Sequence, residues 1–148
     1  MQPVNVALVG IGGYGRSYLR QFHTQEIAEE EAVITCAVDP TAKQNPEEYE
    51  WFQSENIPVY DTLEEMYEKH DKKVELVIIA SPTQFHKQQS TVALQNGSHV
   101  LCEKPLVPIA QEASELLAVE ENADGFELGV GFQWSFSKTM NALKKDIL

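Results

Sequence analysis

The residues best suited to chemistry begin at Gly10. Gly10-Ile11-Gly12-Gly13-Tyr14-Gly15 is a G-x-G-x-x-G run that leaves the apolar strand pattern of Val4–Gly10. Gly10 allows a tight turn out of the strand, Gly12 lets backbone approach a pyrophosphate, and Gly15 lets the following helix pack closely on the sheet. Backbone N–H groups and the positive dipole end at that helix N-terminus then face the phosphates. Asp39 follows 24 positions beyond Gly15, at the end of the next apolar run. A carboxylate there can accept hydrogen bonds from an adenosine ribose, whereas a 2′-phosphate would meet like charge. The pattern predicts a dinucleotide site that favours NAD, with Lys43 leaving room for NADP. The competing structural readings are a merely tight strand–helix turn and a capping aspartate ahead of Pro40.

Two later segments carry further candidates. Ser81-Pro82-Thr83 follows the apolar run Glu75–Ser81. Pro82 stiffens the turn, and Thr83 is placed either to cap the next helix or to touch a cofactor. His86 lies one turn on, as a packing residue or as a cofactor contact. Glu103-Lys104-Pro105 leaves another apolar strand. Lys104 there could donate a proton or hydrogen bond to a substrate oxygen as hydride moves. Burial would sharpen that role by disfavouring its charged form. The plain alternative is an exposed Glu–Lys pair before a turn.

These residues require a scaffold, and strand and helix patterns alternate to supply one. Strand patterns cover Val4–Gly10, Ala32–Asp39, Ile57–Tyr60, Glu75–Ser81, Ser98–Glu103 and Phe126–Phe132. Helical patterns cover Gly13–Thr24, Pro46–Asn56, Thr62–His70, Thr83–Asn96, Ile109–Glu121 and Met140–Leu148. Asn45 is placed to cap the second helix with Pro46 at its first position, and Gly97 to close the fourth. Such alternation predicts an α/β fold: a doubly wound parallel sheet (Rossmann fold) with helices on both faces. Ligands of such sheets lie beyond the carboxyl ends of the strands, where the glycine run, Asp39, Ser81–Thr83 and Glu103–Pro105 all fall.

At 148 residues the chain suits one domain, and its 43% hydrophobic and 23% charged composition is that of a globular protein. The net charge of −12 disfavours nucleic acid and anionic membrane surfaces. Backbone amides can still attract an anionic cofactor locally. No run approaches the roughly 20 apolar residues of a membrane helix, and no secretory pattern opens the chain. The expected location is the cytoplasm. Cys36 and Cys102 sit in apolar strand patterns and read as buried small hydrophobes, with no metal-ligand spacing around them.

Taken together, GIGGYG, Asp39, the run IIASPTQFHKQQSTVALQNGSHVLCEKPL and the following VGFQWSFS resemble the glucose–fructose oxidoreductase/inositol dehydrogenase (Gfo/Idh/MocA) family. The resemblance covers essentially the whole chain, and its most specific part is Val77 to Leu106. It implies that Gly10–Gly15 hold the pyrophosphate and Asp39 the ribose. It implies also that Ser81, Pro82, Thr83 and His86 line the cofactor, that Glu103 lies near the nicotinamide ribose, and that Lys104 reaches substrate and assists proton transfer. The Lys104–Pro105 bond can be cis or trans. Ser135 stands where the family often has an arginine. The family's second α/β domain, which carries the substrate surface, the catalytic histidine and usually the oligomer interface, has no counterpart here. Residues 1–132 are therefore expected to be the NAD(P)-binding domain, and 133–148 the start of a linker toward a missing substrate domain. The expected function is the cofactor half of an oxidoreductase acting on a sugar, polyol or related carbonyl compound, with little turnover by itself. A non-catalytic dinucleotide-binding or sensor module would keep the glycine run and Asp39 without needing Lys104. An S-adenosylmethionine methyltransferase shares the glycine loop and the acid after the second strand, and the Cys102–Leu106 segment argues against it.

Overall fold

Val4–Val9 forms β1, and its alternating side chains divide between two apolar cores. Val6 and Leu8 enter one core with Ile34, Ala37 and Ile78, while Ala7 and Val9 enter the other with Cys36, Val38, Val77 and Ile79. That division is the signature of a sheet buried on both faces. The computed structural model describes residues 2–24 and 26–147. Within them β1 is followed by β2 (Ala32–Val38), β3 (Val59–Tyr60), β4 (Leu76–Ile79), β5 (His99–Cys102) and β6 (Leu128–Val130). All pairings are parallel. The sheet order is β3-β2-β1-β4-β5-β6, the doubly wound arrangement predicted from the alternating patterns.

The helices cover the two faces separately. Leu19 of α1 (Gly15–His23) and Phe52 of α2 (Pro46–Ser54) close the core beneath Val6 and Leu8. Leu63 and Met66 of α3 (Leu63–Lys69), Ala93 and Leu94 of α4 (His86–Gln95), and Leu116 of α5 (Ala110–Glu121) close the other. Thr62 caps α3 through its hydroxyl, which accepts the Glu65 N–H at 3.1 Å. α4 is closed as predicted by Gly97, just past its last turn, with a φ of +77°. The Gly97 N–H donates to Leu94 O and the Ser98 N–H to Ala93 O, both at 3.1 Å, the paired bonds that close a helix at a left-handed glycine.

β2 carries one extra residue against β1. Val6 pairs with Ile34 but Ala7 pairs with Cys36, so Thr35 is bulged out of the ladder. Its hydroxyl donates to Val6 O at 3.4 Å and lies 3.3 Å from His70 Nε2.

Several expectations need correction. α1 begins at Gly15 and not Gly13, because the glycine turn continues to Tyr14. The expected helix from Thr83 opens as a 3-10 turn, Thr83–Phe85, before α4 proper. Thr83 therefore caps nothing, since Pro82 holds the flanking position and no side-chain cap bond forms. Asn45 does occupy the N-cap position of α2, ahead of Pro46. Its ψ of 71° lies outside the extended range in which a side chain reaches back to the first turn, and it makes no cap bond. The last helix, α6, spans Lys138–Ile147 after a 3-10 turn at Gln133–Phe136. Leu148, which ends the predicted helix, lies outside the described residues.

Candidate functional site

The sheet changes winding direction between β1 and β4, and a cleft of about 700 Å³ opens above their carboxyl ends. Such a switch point is where doubly wound sheets take their ligands. Gly10, Gly12 and Gly13 after β1, Asp39 after β2, and Ser81 and Pro82 after β4 all line it. Six of the predicted residues are thus brought together by three separate strand ends. Among the described residues no Lys or Arg lines the cleft.

The glycines divide their labour by contact. A Cβ at Gly15 would lie 1.9 Å from Gly10 O, an impossible approach to backbone. Gly10 has a φ of +85°, and a Cβ there would sit 3.0 Å from the Ala80 carbonyl and the Ser81 nitrogen. It therefore lets β1 and β4 exit side by side. Gly13 also has positive φ, +48°, but faces open space. At Gly12 the obstacle would be a side chain, Asn45 Oδ1 at 2.5 Å.

Asp39 is 8% exposed and already makes three hydrogen bonds. Its Oδ2 accepts the Ile11 N–H at 3.0 Å, and its Oδ1 accepts the Thr41 N–H and hydroxyl, both at 2.8 Å. The carboxylate thereby ties the glycine loop to the end of β2. Ile11 contributes its backbone, while its side chain is fully buried. Tyr14 stands at the α1 N-cap position, exposed, with its hydroxyl against the Gln133 side-chain amide.

On the other side of the switch point, the Ser81 hydroxyl donates to Gln89 Oε1. His86 does not line the cleft. It is 2% exposed, with Nε2 2.8 Å from Ser81 O and Nδ1 3.0 and 3.2 Å from the Pro105 and Leu106 carbonyl oxygens. The ring bridges the two loops that follow β4 and β5. A neutral imidazole donates through one nitrogen only, and the doubly protonated ring would donate to both loops. Glu103, 6% exposed, accepts the Tyr18 hydroxyl at 2.6 Å and the Lys104 N–H at 3.3 Å. A Cβ at Gly131 would come within 2.8 Å of Glu103 Oε1, so the glycine after β6 makes room for this carboxylate. Lys104 is exposed, so burial does not sharpen its acid–base role, and its peptide bond to Pro105 is cis.

Composition and spacing did not single out Asn45, Thr41, Phe85 or Gln89 as site residues, yet the first three line the cleft and Gln89 joins them. The sequence signal at Asn45, an asparagine ahead of Pro46, points to a helix cap alone. The others sit in turns and on a helix face whose orientation only tertiary structure determines. Among the described residues, no group of three or more His, Cys, Asp and Glu side chains could hold a metal ion. No helix among them is long and apolar enough to cross a membrane.

Residues 4–132 match the family described as "Oxidoreductase family, NAD-binding Rossmann fold". An inositol 2-dehydrogenase from Corynebacterium glutamicum (strain R) is 28% identical over 147 residues, covering 97% of this chain and 41% of that protein. A 2,7-anhydro-N-acetylneuraminate hydratase from Mediterraneibacter gnavus is 32% identical over 117 residues, covering 79% of this chain and 28% of the relative. Among solved structures, scyllo-inositol dehydrogenase from Lactobacillus casei, with bound NAD(H) and scyllo-inositol, superposes with a TM-score of 0.83 at 24% identity. That match covers 99% of this chain and 41% of the other, and it speaks to the fold.

Proposed function

The chain belongs to the oxidoreductase family with an NAD-binding Rossmann fold (Gfo/Idh/MocA), and from that premise we propose that its cleft is the cofactor half of a dehydrogenase site. The observation that carries this reading is the convergence of Gly10–Gly13, Asp39 and Ser81–Pro82 on one cleft at the β1/β4 switch point. The residues present fit a dinucleotide. Gly12 and Gly13 keep the loop free of side chains of their own, the α1 N-terminus faces the same loop, and the Asp39 carboxylate lines the cleft, where it would accept from a ribose.

In this reading Gly10–Gly15 cradle the pyrophosphate and Asp39 accepts from the adenosine ribose. Ser81, Pro82 and Thr83 flank the nicotinamide end, and His86 and Glu103 hold the two loops beside it. When bound, the nicotinamide would supply hydride exchange with a substrate carbon. Lys104, exposed at the end of β5, would hydrogen-bond the substrate oxygen and share its proton. The substrate class is a sugar, polyol or related carbonyl compound. The chain spans 41% of the inositol 2-dehydrogenase it matches. Residues 1–132 would form the cofactor-binding domain, and 133–148 would lead toward a substrate domain that also carries any oligomer contact.

Titration of the chain with NADH, NADPH and S-adenosylmethionine, followed by fluorescence or calorimetry, tests the reading. NADH is expected to bind and S-adenosylmethionine not to bind. No NADH binding would overturn the proposal. Lys104→Ala in a full-length relative should abolish turnover while cofactor binding persists. Unchanged turnover would instead favour a module that only binds or senses dinucleotide.

A further inference from the structure

The cleft poses an electrostatic problem. Asp39, Asp61 and Glu64 all line it, and among the described residues no Lys or Arg does. A pyrophosphate entering it must be held by neutral donors and backbone amides. Asn45 is the side chain best placed for that task. It lines the cleft, and its amide stands over the glycine loop. A Cβ on Gly12 would come within 2.5 Å of Oδ1, 2.9 Å of Cγ and 3.0 Å of Nδ2.

This placement is held from two sides. Pro46 opens α2 with a fixed φ. Two residues on, Glu48 is paired with Arg16 in the first turn of α1, with Nε–Oε1 at 2.6 Å and a second contact, NH2 to Oε2, at 3.4 Å. The first turns of α1 and α2 are thus linked, which holds the backbone before α2, and Asn45 with it, beside the glycine loop. The amide is also uncommitted to its own helix, because no cap bond forms. An asparagine at an N-cap position normally spends its side chain there.

We propose that Asn45 is a dinucleotide-binding residue whose amide, turned about its terminal torsion so that Nδ2 takes the place Oδ1 holds nearest Gly12, donates to the pyrophosphate at the glycine loop. The proposal rests on the reading that the cleft takes NAD. It gives Gly12 a second purpose, since a methyl there would displace the Asn45 amide as well as crowd the phosphate.

The test compares the chain with Asn45→Ala and Asn45→Asp, titrated with NADH, ADP-ribose and adenosine. Asn45→Ala should weaken NADH and ADP-ribose alike by about tenfold and leave adenosine unchanged. Asn45→Asp keeps the size and capping ability but sets a carboxylate against the phosphates, so its loss should be larger. The ligand-free thermal midpoint of Asn45→Ala should stay within about 1 °C of the parent, whereas a lost cap would lower it by about 2–4 °C. NADH affinity within twofold of the parent, equal weakening of adenosine, or a cap-sized fall in midpoint would each overturn the proposal. Failure of the parent itself to bind NADH would overturn the cofactor reading and this inference with it.

Discussion

The Tyr18 hydroxyl donates to Glu103 Oε1 at 2.6 Å, joining the helix after the glycine loop to the strand end that carries Lys104. Burial, then the hydrogen bond to Glu103, pushes the Tyr18 hydroxyl well above its ordinary value, so it remains a donor throughout the working pH range. Tyr18→Phe keeps the ring and removes that donor from a buried carboxylate. It should lower stability by about 1–3 kcal/mol, read as an earlier urea midpoint with an unchanged slope. A midpoint equal to the parent's would mean the bond contributes nothing.

Gly15 and Gly13 should respond differently to the same substitution. Gly15→Ala places a methyl 1.9 Å from Gly10 O, and the expected result is failure to fold or a collapsed NADH affinity. Gly13→Ala meets no atom within 4 Å and is opposed only by its φ of +48°. It should cost about 1–2 kcal/mol and leave the far-UV spectrum unchanged. Similar behaviour of the two variants in thermal melts would contradict the contact geometry.

Asp39 should couple cofactor choice to stability. With Asp61 and Glu64 on the same cleft, NADPH should bind at least about tenfold more weakly than NADH, because its 2′-phosphate adds charge near carboxylates. Asp39→Ser would ease that repulsion, but it strands the Ile11 and Thr41 N–H donors. A loss of about 1–3 kcal/mol in urea titration is expected alongside any gain for NADPH. Equal affinity of the parent for both cofactors would sink the preference.

The thiols give a pH prediction. Burial pushes Cys36 and Cys102 each from 9.0 up to about 12, and the Tyr67 hydroxyl from 10.0 up to about 12. In each case the folded state keeps a proton that the unfolded chain releases. This stabilising contribution is complete below pH 9.0 and declines as pH climbs toward about 12. Urea midpoints across that window should fall steadily. At neutral pH a thiol reagent should label neither cysteine until denaturant is added.

Much of the fold was legible because parallel strands buried on both faces are nearly continuous apolar runs, as Val4–Val9 and Leu76–Ile79 show. The glycine loop and Asp39 were legible because their steric and charge demands are local. Lys104 and His86 were less so. Exposure and burial depend on what the opposite loop supplies, and here the Pro105 and Leu106 carbonyls draw the His86 ring inward while Lys104 stays outside. The fourth helix starts later than its pattern suggests because a 3-10 turn and an α-helix begin with the same residue types. The Tyr18–Glu103 pair spans 85 positions, a separation at which neither periodicity nor spacing carries information.

The bulge at Thr35 works as a phase correction. Ile34 and Cys36 share parity in the chain yet enter opposite cores, so one residue has been absorbed without disturbing either pairing partner. From Cys36 onward the alternation resumes, and it delivers Asp39 to the side where the Ile11 N–H awaits it. A deletion at Thr35 would remove the extra residue, with its hydroxyl contacts to Val6 O and His70, and leave the pairings of Ile34 and Cys36 in phase. The same deletion at Ala37 would rotate every later residue of β2 by one step and turn the carboxylate away from the cleft. Thr35 is therefore the position at which the strand's length can change without altering the face that the later residues of β2 present.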